Sequence, residues 1–234
     1  MNVRKAVIPV AGFGTRFLPA TRSIPKAMIP IVDRPPIHQV VEEAAKAGIE
    51  QVIFVISHGQ EAVLGYFEKK VALETALKQS NKDALLVQMS EISNLVEVTT
   101  VLQDKPLGLG HAVLTAKDQV DNEPFAVFLP DDVIWSDAPT IETMAGIFAK
   151  CESPVLAVKA VSEDVIPSLG IIDHGPIVGQ ITEVRGLVEK PSLANAPSNL
   201  AIVGRYILPP DIFSELERGQ PGVLGEMQLT DSIA

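Results

Sequence analysis

Two glycines and several cations occupy one short, proline-rich stretch near the beginning of the chain. Residues 11–30 read AGFGTRFLPATRSIPKAMIP, with Gly12 and Gly14 spaced as G-x-G and with Arg16 and Lys26 among the cations that follow. Glycine lets backbone N–H groups approach an anion, and the cations add charge and hydrogen-bond donors. The pattern predicts an anion-binding loop with phosphate as its ligand; a tight turn without a ligand is the alternative.

This loop lacks the defining features of two common nucleotide-binding motifs. A dinucleotide-binding G-x-G-x-x-G has a third glycine and opens directly into a helix, whereas Phe17 takes the third position here. Pro19, Pro25 and Pro30 exclude an α-helix through the stretch. The Walker A sequence is also absent. The sequence therefore predicts a long, extended, proline-stiffened loop after the first strand.

Two adjacent carboxylates follow a run of apolar residues in the segment FLPDDVI, residues 128–134. Open α/β sheets bind ligands at the carboxyl ends of their strands, which is where Asp131 and Asp132 would lie. A carboxylate close to phosphates suits Mg²⁺, which takes oxygen ligands and bridges substrate phosphates. Capping of a turn is the alternative, and it is favoured more for Asp132 than for Asp131.

A second glycine loop, QDKPLGLGHAV, spans residues 103–113 between a predicted strand and a helix. The backbone groups at Gly108 are candidates for reading the edge of a nucleobase, and the Gln103 side chain is a candidate for pairing with it. An ordinary strand-to-helix connection is the alternative, and the residues alone favour it.

The segment VEKP, residues 188–191, places Glu189 and Lys190 side by side at the end of a strand. Neighbours in a strand point to opposite sides of the sheet, so we expect no simple ion pair between them. One would then bind hydroxyls and the other phosphate. A surface strand with solvated charges is the alternative.

The histidines and the cysteine show no pattern of a metal site or of a nucleophile with its base. His38, His58, His111 and His174 lack metal-ligand spacing, so we interpret each as a structural or surface residue. Cys151 is the only cysteine, which excludes an internal disulfide, and we expect it in the core or at a helix end.

The overall composition is typical of a globular protein. The chain has 234 residues, of which 47% are hydrophobic and 21% charged, enough for a sizeable core. The net charge of −10 argues against nucleic-acid binding, which requires a basic face. The apolar runs are too short for a signal peptide or a membrane span. We therefore expect a cytoplasmic protein with neither nucleic acid nor membrane as a partner.

Strands and helices are predicted to alternate through the first two thirds of the chain. The apolar, β-branched runs that predict strands cover residues 5–10, 51–57, 96–103, 125–130 and 154–161. The segments that predict helices cover residues 35–48, 61–79, 111–118 and 138–150. This alternation indicates an α/β fold in which a mostly parallel sheet carries helices on both faces.

The pattern changes after about residue 165. Residues 169–191 are typical of short strands joined by glycine turns, and residues 199–208 predict one more strand. No linker separates this part from the rest, so we expect one domain over residues 1–234.

The first motif, VIPVAGFGTRFLPATRSIPKAMIPIVDRP, resembles the signature of the nucleotidyl-sugar pyrophosphorylases. Five later motifs, GLGHAV, LPDD, GLVEKP, PSNLAIVGRYIL and GEMQLTD, make the chain similar to the bacterial members that use UTP and glucose 1-phosphate. The resemblance implies a Rossmann-like, nucleotide-diphospho-sugar transferase fold with a small, β-rich sugar-binding portion. Residues 1–165 would then form the nucleotide-binding half and residues 166–234 the sugar-binding half.

The resemblance also implies which residues contact the nucleotide. The residues expected to bind UTP are Ala11, Gly12, Gly14, Thr15, Arg16, Gln103 and Gly108. Ala11 would lie beside the base, and Gln103 and Gly108 would read uracil. Arg16 and Lys26 would stabilise charge at the α-phosphate and on the leaving pyrophosphate. Asp131 would bind Mg²⁺.

A second set of matched residues is implied for the sugar phosphate. Glu189 would bind glucose hydroxyls and Lys190 the phosphate, while Gly170, Val203 and Gly204 would border the sugar. The catalytic residues that the resemblance implies are Arg16, Lys26, Asp131 and Lys190.

The reaction implied by the resemblance is the Mg²⁺-dependent conversion of UTP and glucose 1-phosphate to UDP-glucose and pyrophosphate. A relative that uses dTTP or another sugar phosphate, and an inactive homologue that only binds nucleotide sugars, are the alternatives. The family continues for some tens of residues past Ala234, and a second Mg²⁺-binding aspartate and dimer contacts are expected there. A homo-oligomer, dimer or tetramer, is expected.

Overall fold

One mixed β-sheet connects the parts of the chain that the computed structural model describes, residues 3–136, 139–219 and 225–233. The strands formed by these residues are β1 (Lys5–Pro9), β2 (Gln51–Ile56), β3 (Glu97–Leu102), β4 (Phe125–Phe128), β5 (Val155–Ala160), β6 (Gly170–His174), β7 (Val184–Glu189) and β8 (Leu200–Leu208). Their order across the sheet is β3-β2-β1-β4-β8-β6-β7, and β5 pairs with β8. Each predicted strand is confirmed, with ends that shift by one or two residues.

The first four strands form a parallel block at one side of the sheet. β1 lies between β2 and β4, and Val7 is in register with Ile53 on one side and Val127 on the other. All three of these side chains are fully buried. Continuous apolar runs are required here because helices cover both faces of the block. The prediction that the first, second and fourth runs are buried parallel strands is confirmed.

β8 runs against its neighbours and joins the later part of the chain to the parallel block. It pairs antiparallel with β4, β5 and β6, so β5 and β6 run in the direction of β1 to β4. β7 pairs antiparallel with β6 and therefore runs with β8. Most of the described strands thus share one direction, as the sequence predicted.

Helices pack on both faces of the sheet. The helices of the described chain are α1 (Pro36–Lys46), α2 (Ala62–Phe67), α3 (Val71–Gln79), α4 (Asp83–Ser93), α5 (Leu109–Thr115), α6 (Lys117–Val120), α7 (Thr140–Cys151), α8 (Ile212–Arg218) and α9 (Leu229–Ile233). α1 shows the expected pattern, because the residues of its predicted apolar face, Ile37, Val40, Val41 and Ala44, are all buried. Cys151 ends α7 and is exposed, which confirms its predicted place at a helix end.

The prediction of one helix over residues 61–79 is wrong. α2 ends at Phe67, and at Glu68 the backbone is extended, with φ −76° and ψ 149°. Phe67 is buried and stacks on Phe54 of the sheet, with ring centroids 5.5 Å apart. The last residue of α2 is thus held against the sheet, and the helix-forming residues that follow begin a separate helix, α3. The helix predicted over residues 111–118 likewise divides into α5 and α6, and Ala138, where the next one was predicted to begin, lies outside the described residues.

Alternate residues of the central strands enter two separate hydrophobic clusters. Ala6 and Ile8 of β1 pack on one side with α1, α2 and α7, whereas Val7 packs on the other side with α5, α8 and α9. This division follows from the two-residue period of a strand. Dense packing on both faces fixes the strand ends, where the candidate site lies. No helix of the described residues is long and apolar enough to cross a bilayer.

Candidate active site

The predicted site residues gather at one edge of the sheet. Ala11 follows β1, Gln103 follows β3 and Asp131 lies shortly after β4, so all three lie at the carboxyl ends of parallel strands. β8 runs antiparallel and extends beyond β4, since Arg205 pairs with the last residue of that strand. Its preceding residues, among them Gly204, therefore lie past the same edge.

The proline-rich loop after β1 is folded into three 3-10 turns, Thr15–Phe17, Ala20–Arg22 and Lys26–Met28. Gly14 holds a left-handed conformation with φ 61°, which favours glycine. A Cβ at Gly14 would lie 2.9 Å from Thr21 Cγ2, and the Thr21 hydroxyl donates a hydrogen bond to the Gly14 carbonyl at 2.9 Å. Gly14 therefore closes the loop on itself, a structural role.

Gly12 has the opposite surroundings. A Cβ built on it would meet no atom within 4 Å, so the backbone here faces open space. The Gly12 carbonyl accepts a hydrogen bond from Gln60 Nε2 at 3.3 Å, and the Gln60 side chain also accepts from the Ser57 N–H at 3.0 Å. The loop beyond β2 thus holds Gly12 while leaving its backbone approachable. No sequence signal had marked Gln60.

The structure brings Lys26 and Asp131 together from the loops after β1 and β4. The Lys26 ammonium lies 2.7 Å from Asp131 Oδ2, and both side chains remain partly exposed. Arg16 is exposed, and within the described part of the chain it makes no hydrogen bond or ion pair. One cation of the loop therefore holds the carboxylate, while another projects toward solvent.

Asp132 has the structural role that the sequence favoured for it. Its Oδ2 accepts a hydrogen bond from the Gly204 N–H at 2.8 Å, which ties the turn after β4 to β8. A Cβ on Gly204 would lie 2.5 Å from Leu129 Cβ, so only glycine allows this approach. Asp131 and Asp132 border a cleft of about 440 Å³ that Val203 also lines.

Glu189, Lys190 and Gly170 form a second cluster, where β6 begins and β7 ends. Gly170 is paired with Glu189 across β6 and β7, and a Cβ on Gly170 would lie 3.0 Å from Glu189 Oε2. The buried Thr230 hydroxyl donates to the same carboxylate at 3.3 Å. Burial raises the pKa of the Tyr206 hydroxyl, and the nearby Glu189 carboxylate raises it further, which keeps this phenol neutral.

The prediction that Glu189 and Lys190 do not form an ion pair is wrong. Lys190 Nζ lies 3.6 Å from Glu189 Oε1. β7 ends at Glu189, and Lys190 holds a left-handed backbone conformation with φ 48°. The alternation of side chains applies only within a strand, so it no longer separates these two residues.

The second glycine loop forms a third cluster. The Gln103 side chain is buried, and its Nε2 lies 3.3 Å from the Gly108 carbonyl and 2.9 Å from His111 Nδ1. Gly108 has φ 98°, and a Cβ there would lie 2.7 Å from the Met227 carbonyl. The Met227 N–H also donates to the Leu107 carbonyl at 2.8 Å. Gln103 and Gly108 are therefore neighbours in the structure.

The segment 225–233 connects the second and third clusters, and sequence reasoning had given it no role. Met227 packs on the loop at Gly108, and Thr230 contacts Glu189. Leu229, between them, is buried in the core. The motif GEMQLTD was the only signal, and it identifies the segment without showing what it touches.

The carboxylates of the site suit a cation that takes only one or two ligands from the protein and the rest from water and substrate. Among the described residues, no group of three or more His, Cys, Asp or Glu side chains could hold a metal ion. Asp131 is a partly exposed carboxylate at the mouth of the cleft. Mg²⁺ is commonly held by one or two carboxylates together with waters and substrate phosphates, so this donor set suits it.

The described sheet edge thus gathers a glycine loop with an open backbone, a carboxylate beside a lysine and a second polar cluster. The family profile described as nucleotidyl transferase matches residues 5–233, and the chain belongs to this family. Members of the family generally use a divalent metal ion. The resemblance inferred from the sequence motifs is confirmed.

Several relatives in this family carry the name of one particular activity. The UTP–glucose-1-phosphate uridylyltransferases of Staphylococcus haemolyticus (strain JCSC1435) and Bacillus subtilis (strain 168) are 45% and 44% identical to the chain over 232 residues. Each alignment covers 99% of this chain, and it covers 81% and 80% of the two relatives, respectively.

Two solved structures share the fold. A UTP-bound UGPase from Acinetobacter baumannii is 43% identical, with a TM-score of 0.90 over 99% of this chain and 81% of the other. A UDP-glucose pyrophosphorylase complexed with UDP-glucose is 39% identical, with a TM-score of 0.88 over 98% and 85% of the two chains.

Proposed function

We propose that this chain transfers a uridylyl group from UTP to glucose 1-phosphate, forming UDP-glucose and releasing pyrophosphate. The observation that carries the proposal is the Lys26–Asp131 contact of 2.7 Å at the sheet edge. It joins the glycine loop after β1 to a carboxylate of the turn after β4. Relatives at 44–45% identity that bear the name of this activity support it.

The chemistry requires no general base. A phosphate oxygen of glucose 1-phosphate attacks the α-phosphorus of UTP, and the bond to the β-phosphate breaks, so that pyrophosphate leaves with the electron pair. The nucleophile is already ionised at pH 7, because the second pKa of a phosphate monoester is about 6. The site has therefore to align two polyanions and neutralise their charge, which is the main task in phosphoryl transfer generally.

The loop after β1 is proposed to bind the triphosphate. The open backbone at Gly12, with Thr15 beside it, would donate to phosphate oxygens, and the unpaired Arg16 would approach the α-phosphate. Lys26 would stabilise the leaving pyrophosphate. Its contact with Asp131 is partly exposed, so exchanging it for phosphate contacts costs about 1 kcal/mol or less.

Asp131 is the residue that we propose holds Mg²⁺. When bound, this ion supplies charge neutralisation across the substrate phosphates. The neighbouring Asp132 stays engaged with the Gly204 N–H and keeps the turn in place. Asp131 would thus bind the metal ion, whereas Asp132 stabilises the turn.

The second cluster is proposed to bind glucose 1-phosphate. The Glu189 carboxylate accepts from Thr230 and would accept further hydrogen bonds from sugar hydroxyls. Lys190 is exposed beside it and would bind the sugar phosphate. Gly170 and Gly204 would border the sugar with their backbones, since Glu189 packs against the one glycine and Leu129 against the other. Residues 1–165 would thus form a nucleotide-binding half and residues 166–234 a sugar-binding half.

The decisive experiment measures pyrophosphate release with Mg²⁺ and glucose 1-phosphate, in parallel with UTP, dTTP, ATP, CTP and GTP. Turnover that prefers UTP and is abolished by EDTA is expected. A preference for dTTP or for another sugar phosphate would replace the proposal with a different transferase. Tight UDP-glucose binding without pyrophosphate release would identify an inactive, binding-only homologue.

A matched pair of variants connects this assay to the site. Asp131→Asn keeps the shape but removes the charge, and we expect it to lower kcat/KM about 100-fold or more. Asp118→Asn, an equally conservative change at an exposed position of α6, should leave the rate unchanged. Similar rates for both variants would contradict the role of Asp131.

We also propose that the chain acts as a homo-oligomer, dimer or tetramer, in the cytoplasm, where nucleoside triphosphates are available. Light scattering after size-exclusion chromatography measures the assembly mass, and cell fractionation measures the compartment. A monomer at micromolar concentration would contradict the first part.

A further inference from the structure

The Gln103 side chain lies buried where β3 ends, and it is held from two sides. Only 5% of the residue is exposed, and its backbone N–H donates to the Ile56 carbonyl at 2.8 Å. The side-chain nitrogen Nε2 lies 3.3 Å from the Gly108 carbonyl oxygen and 2.9 Å from His111 Nδ1. Both hydrogens of the amide are thereby used within the protein.

The Gly108 carbonyl determines which way the amide points. A carbonyl oxygen can only accept, so the group 3.3 Å from it has to be the amide nitrogen of Gln103 and not its oxygen. The loop that carries this carbonyl is pinned, since Gly110 N–H donates to the Met227 carbonyl at 2.8 Å. The orientation of Gln103 therefore follows from the backbone.

The amide orientation in turn determines the tautomer of His111. Because Gln103 Nε2 donates to His111 Nδ1, this ring nitrogen has to carry a lone pair, and the ring proton lies on Nε2. A proton on Nδ1 would instead place two N–H donors opposite each other, 2.9 Å apart. That arrangement would favour an amide flipped so that its oxygen faces the ring. His111 and Gly108 thus act together on Gln103.

The free end of the amide is the oxygen Oε1. In the described part of the chain, Gln103 Oε1 accepts no hydrogen bond, and the buried side-chain atoms that lack a partner are Gln39 Oε1 and Thr99 Oγ1. Gln103 Oε1 is not one of these atoms, so it keeps some exposure to solvent although the residue is buried. It presents an acceptor, and only an acceptor, at the sheet edge.

We propose that His111 is a positioning residue for base selection, which holds Gln103 so that Oε1 faces the nucleobase. This inference rests on the proposed uridylyl transfer. Uracil carries an N–H donor at N3, whereas cytosine carries a lone pair there. A fixed acceptor therefore favours UTP and rejects CTP, because the wrong base leaves two acceptors facing each other.

Two substitutions of His111 separate positioning from mere packing. His111→Asn places an amide oxygen where Nδ1 stands, so it keeps the acceptor for Gln103. In His111→Leu the new side chain has a similar volume but offers no hydrogen-bond acceptor to Gln103. The readout is the ratio of kcat/KM for UTP to that for CTP, with KM for glucose 1-phosphate as the internal control. If His111 only packed against its neighbours, His111→Leu would change KM for UTP and KM for glucose 1-phosphate but not the UTP-to-CTP ratio of kcat/KM.

We expect the unaltered chain to prefer UTP over CTP by about 100-fold or more. His111→Leu should reduce this ratio at least about tenfold, His111→Asn should restore most of it, and KM for glucose 1-phosphate should stay constant in both. An unchanged ratio in His111→Leu would overturn the inference. Absence of UTP turnover in the unaltered chain would instead contradict the proposed function.

A measurement on the unaltered chain keeps the inference testable if His111→Leu fails to fold. ¹⁵N NMR of the imidazole rings reports which nitrogen carries the proton, and the spectrum of His111→Asn identifies the signals of His111. We expect the proton on Nε2 at pH 7.5. A proton on Nδ1 would mean that Gln103 presents its NH₂ group, and the proposal would fail.

Discussion

The two cations of the glycine loop, Arg16 and Lys26, differ in whether they have an ion-pair partner in the described structure. Arg16 is exposed and, in the part of the chain that the structure describes, has no partner, whereas Lys26 contacts Asp131 at 2.7 Å. An unpaired guanidinium keeps its full bidentate donor set for a phosphate. Arg16 is thus the cation of the loop that contributes least to the fold and is best placed to act on a ligand.

Replacing Arg16 with Met should therefore separate activity from stability. We expect kcat/KM for UTP to fall about 100-fold or more, because charge stabilisation at the transition state is lost. The melting temperature should change little, since no hydrogen bond or ion pair within the described chain is removed. The matched control is Arg218→Met in α8, which removes an exposed arginine outside the site. Activity within about threefold of the unaltered chain would mean that the loop only turns the backbone.

At the scale of elements, glycines control how closely the loops and strands of the site approach. Gly204 of β8 lies against the turn after β4, where a Cβ would meet Leu129 Cβ at 2.5 Å and Asp132 Oδ2 at 2.7 Å. Gly12 lies in the loop after β1 with no atom within 4 Å of that position. One glycine is required by packing, and the other leaves room for a ligand.

Alanine at these two positions should give opposite results. Gly204→Ala is expected to lower the free energy of unfolding by about 1–3 kcal/mol, because an added methyl overpacks the contact between β8 and β4. Gly12→Ala should leave the unfolding free energy within about 0.5 kcal/mol but raise KM for UTP, since the methyl occupies the approach to the backbone. Urea denaturation and steady-state kinetics measure both effects. Equal destabilisation by the two changes would refute this assignment.

The contact of α1 with α2 contains the buried His38, whose titration makes it sensitive to pH. Burial lowers the pKa of His38 below its ordinary value of 6.5, and the positive charge of Arg34 lowers it further. The unfolded chain therefore binds this proton at a higher pH than the folded chain. The stabilising contribution is complete above pH 6.5 and is lost as the pH falls from there through the lowered folded pKa.

His38→Gln should remove this part of the pH dependence. Between pH 7.5 and pH 5, the unfolding free energy of the unaltered chain is expected to fall by more than that of the variant. Urea titrations at several pH values measure the difference, and carboxylate titrations common to both proteins cancel in it. His58→Gln, at an exposed position, is the control and should keep the full slope. Parallel pH profiles for the two chains would rule out the effect.

Local patterns predicted the strands well, because burial leaves a direct trace in the sequence. They failed where a distant contact decides the structure. Nothing in the helix-forming stretch 61–79 shows that Phe67 stacks on Phe54 and ends a helix there. The pairing of β8 with β4, and the contact of Met227 with Gly108, also join residues far apart in the chain. Such contacts depend on topology, which a local pattern does not encode.

At the scale of the whole molecule, one buried ion pair connects the early and late parts of the chain. The Arg205 guanidinium of β8 is fully buried and lies 2.6 Å from Glu43 Oε2 of α1. It also donates to the Gly204 carbonyl at 3.0 Å and lies over the Phe128 ring at 4.9 Å. The residue next to Gly204 is therefore anchored to the first helix of the fold.

Removing either member of this pair should destabilise the whole molecule. Arg205→Met leaves the Glu43 carboxylate without its partner in a site that is nearly closed to solvent, so we expect a loss of about 3–5 kcal/mol of unfolding free energy. Glu43→Leu should cost a similar amount for the converse reason. The double variant replaces the pair with apolar side chains and should recover about 2 kcal/mol or more relative to the sum of the single losses.

Urea denaturation followed by both far-UV circular dichroism and the fluorescence of Trp135 tests this coupling in a double-mutant cycle. Because the pair joins α1 to β8, the two signals should change in one transition, as expected for a single domain. A cycle in which the single losses simply add would mean that Arg205 and Glu43 act independently. In that case the carbonyl contacts of Arg205, and not its charge partner, would anchor β8 to the rest of the fold.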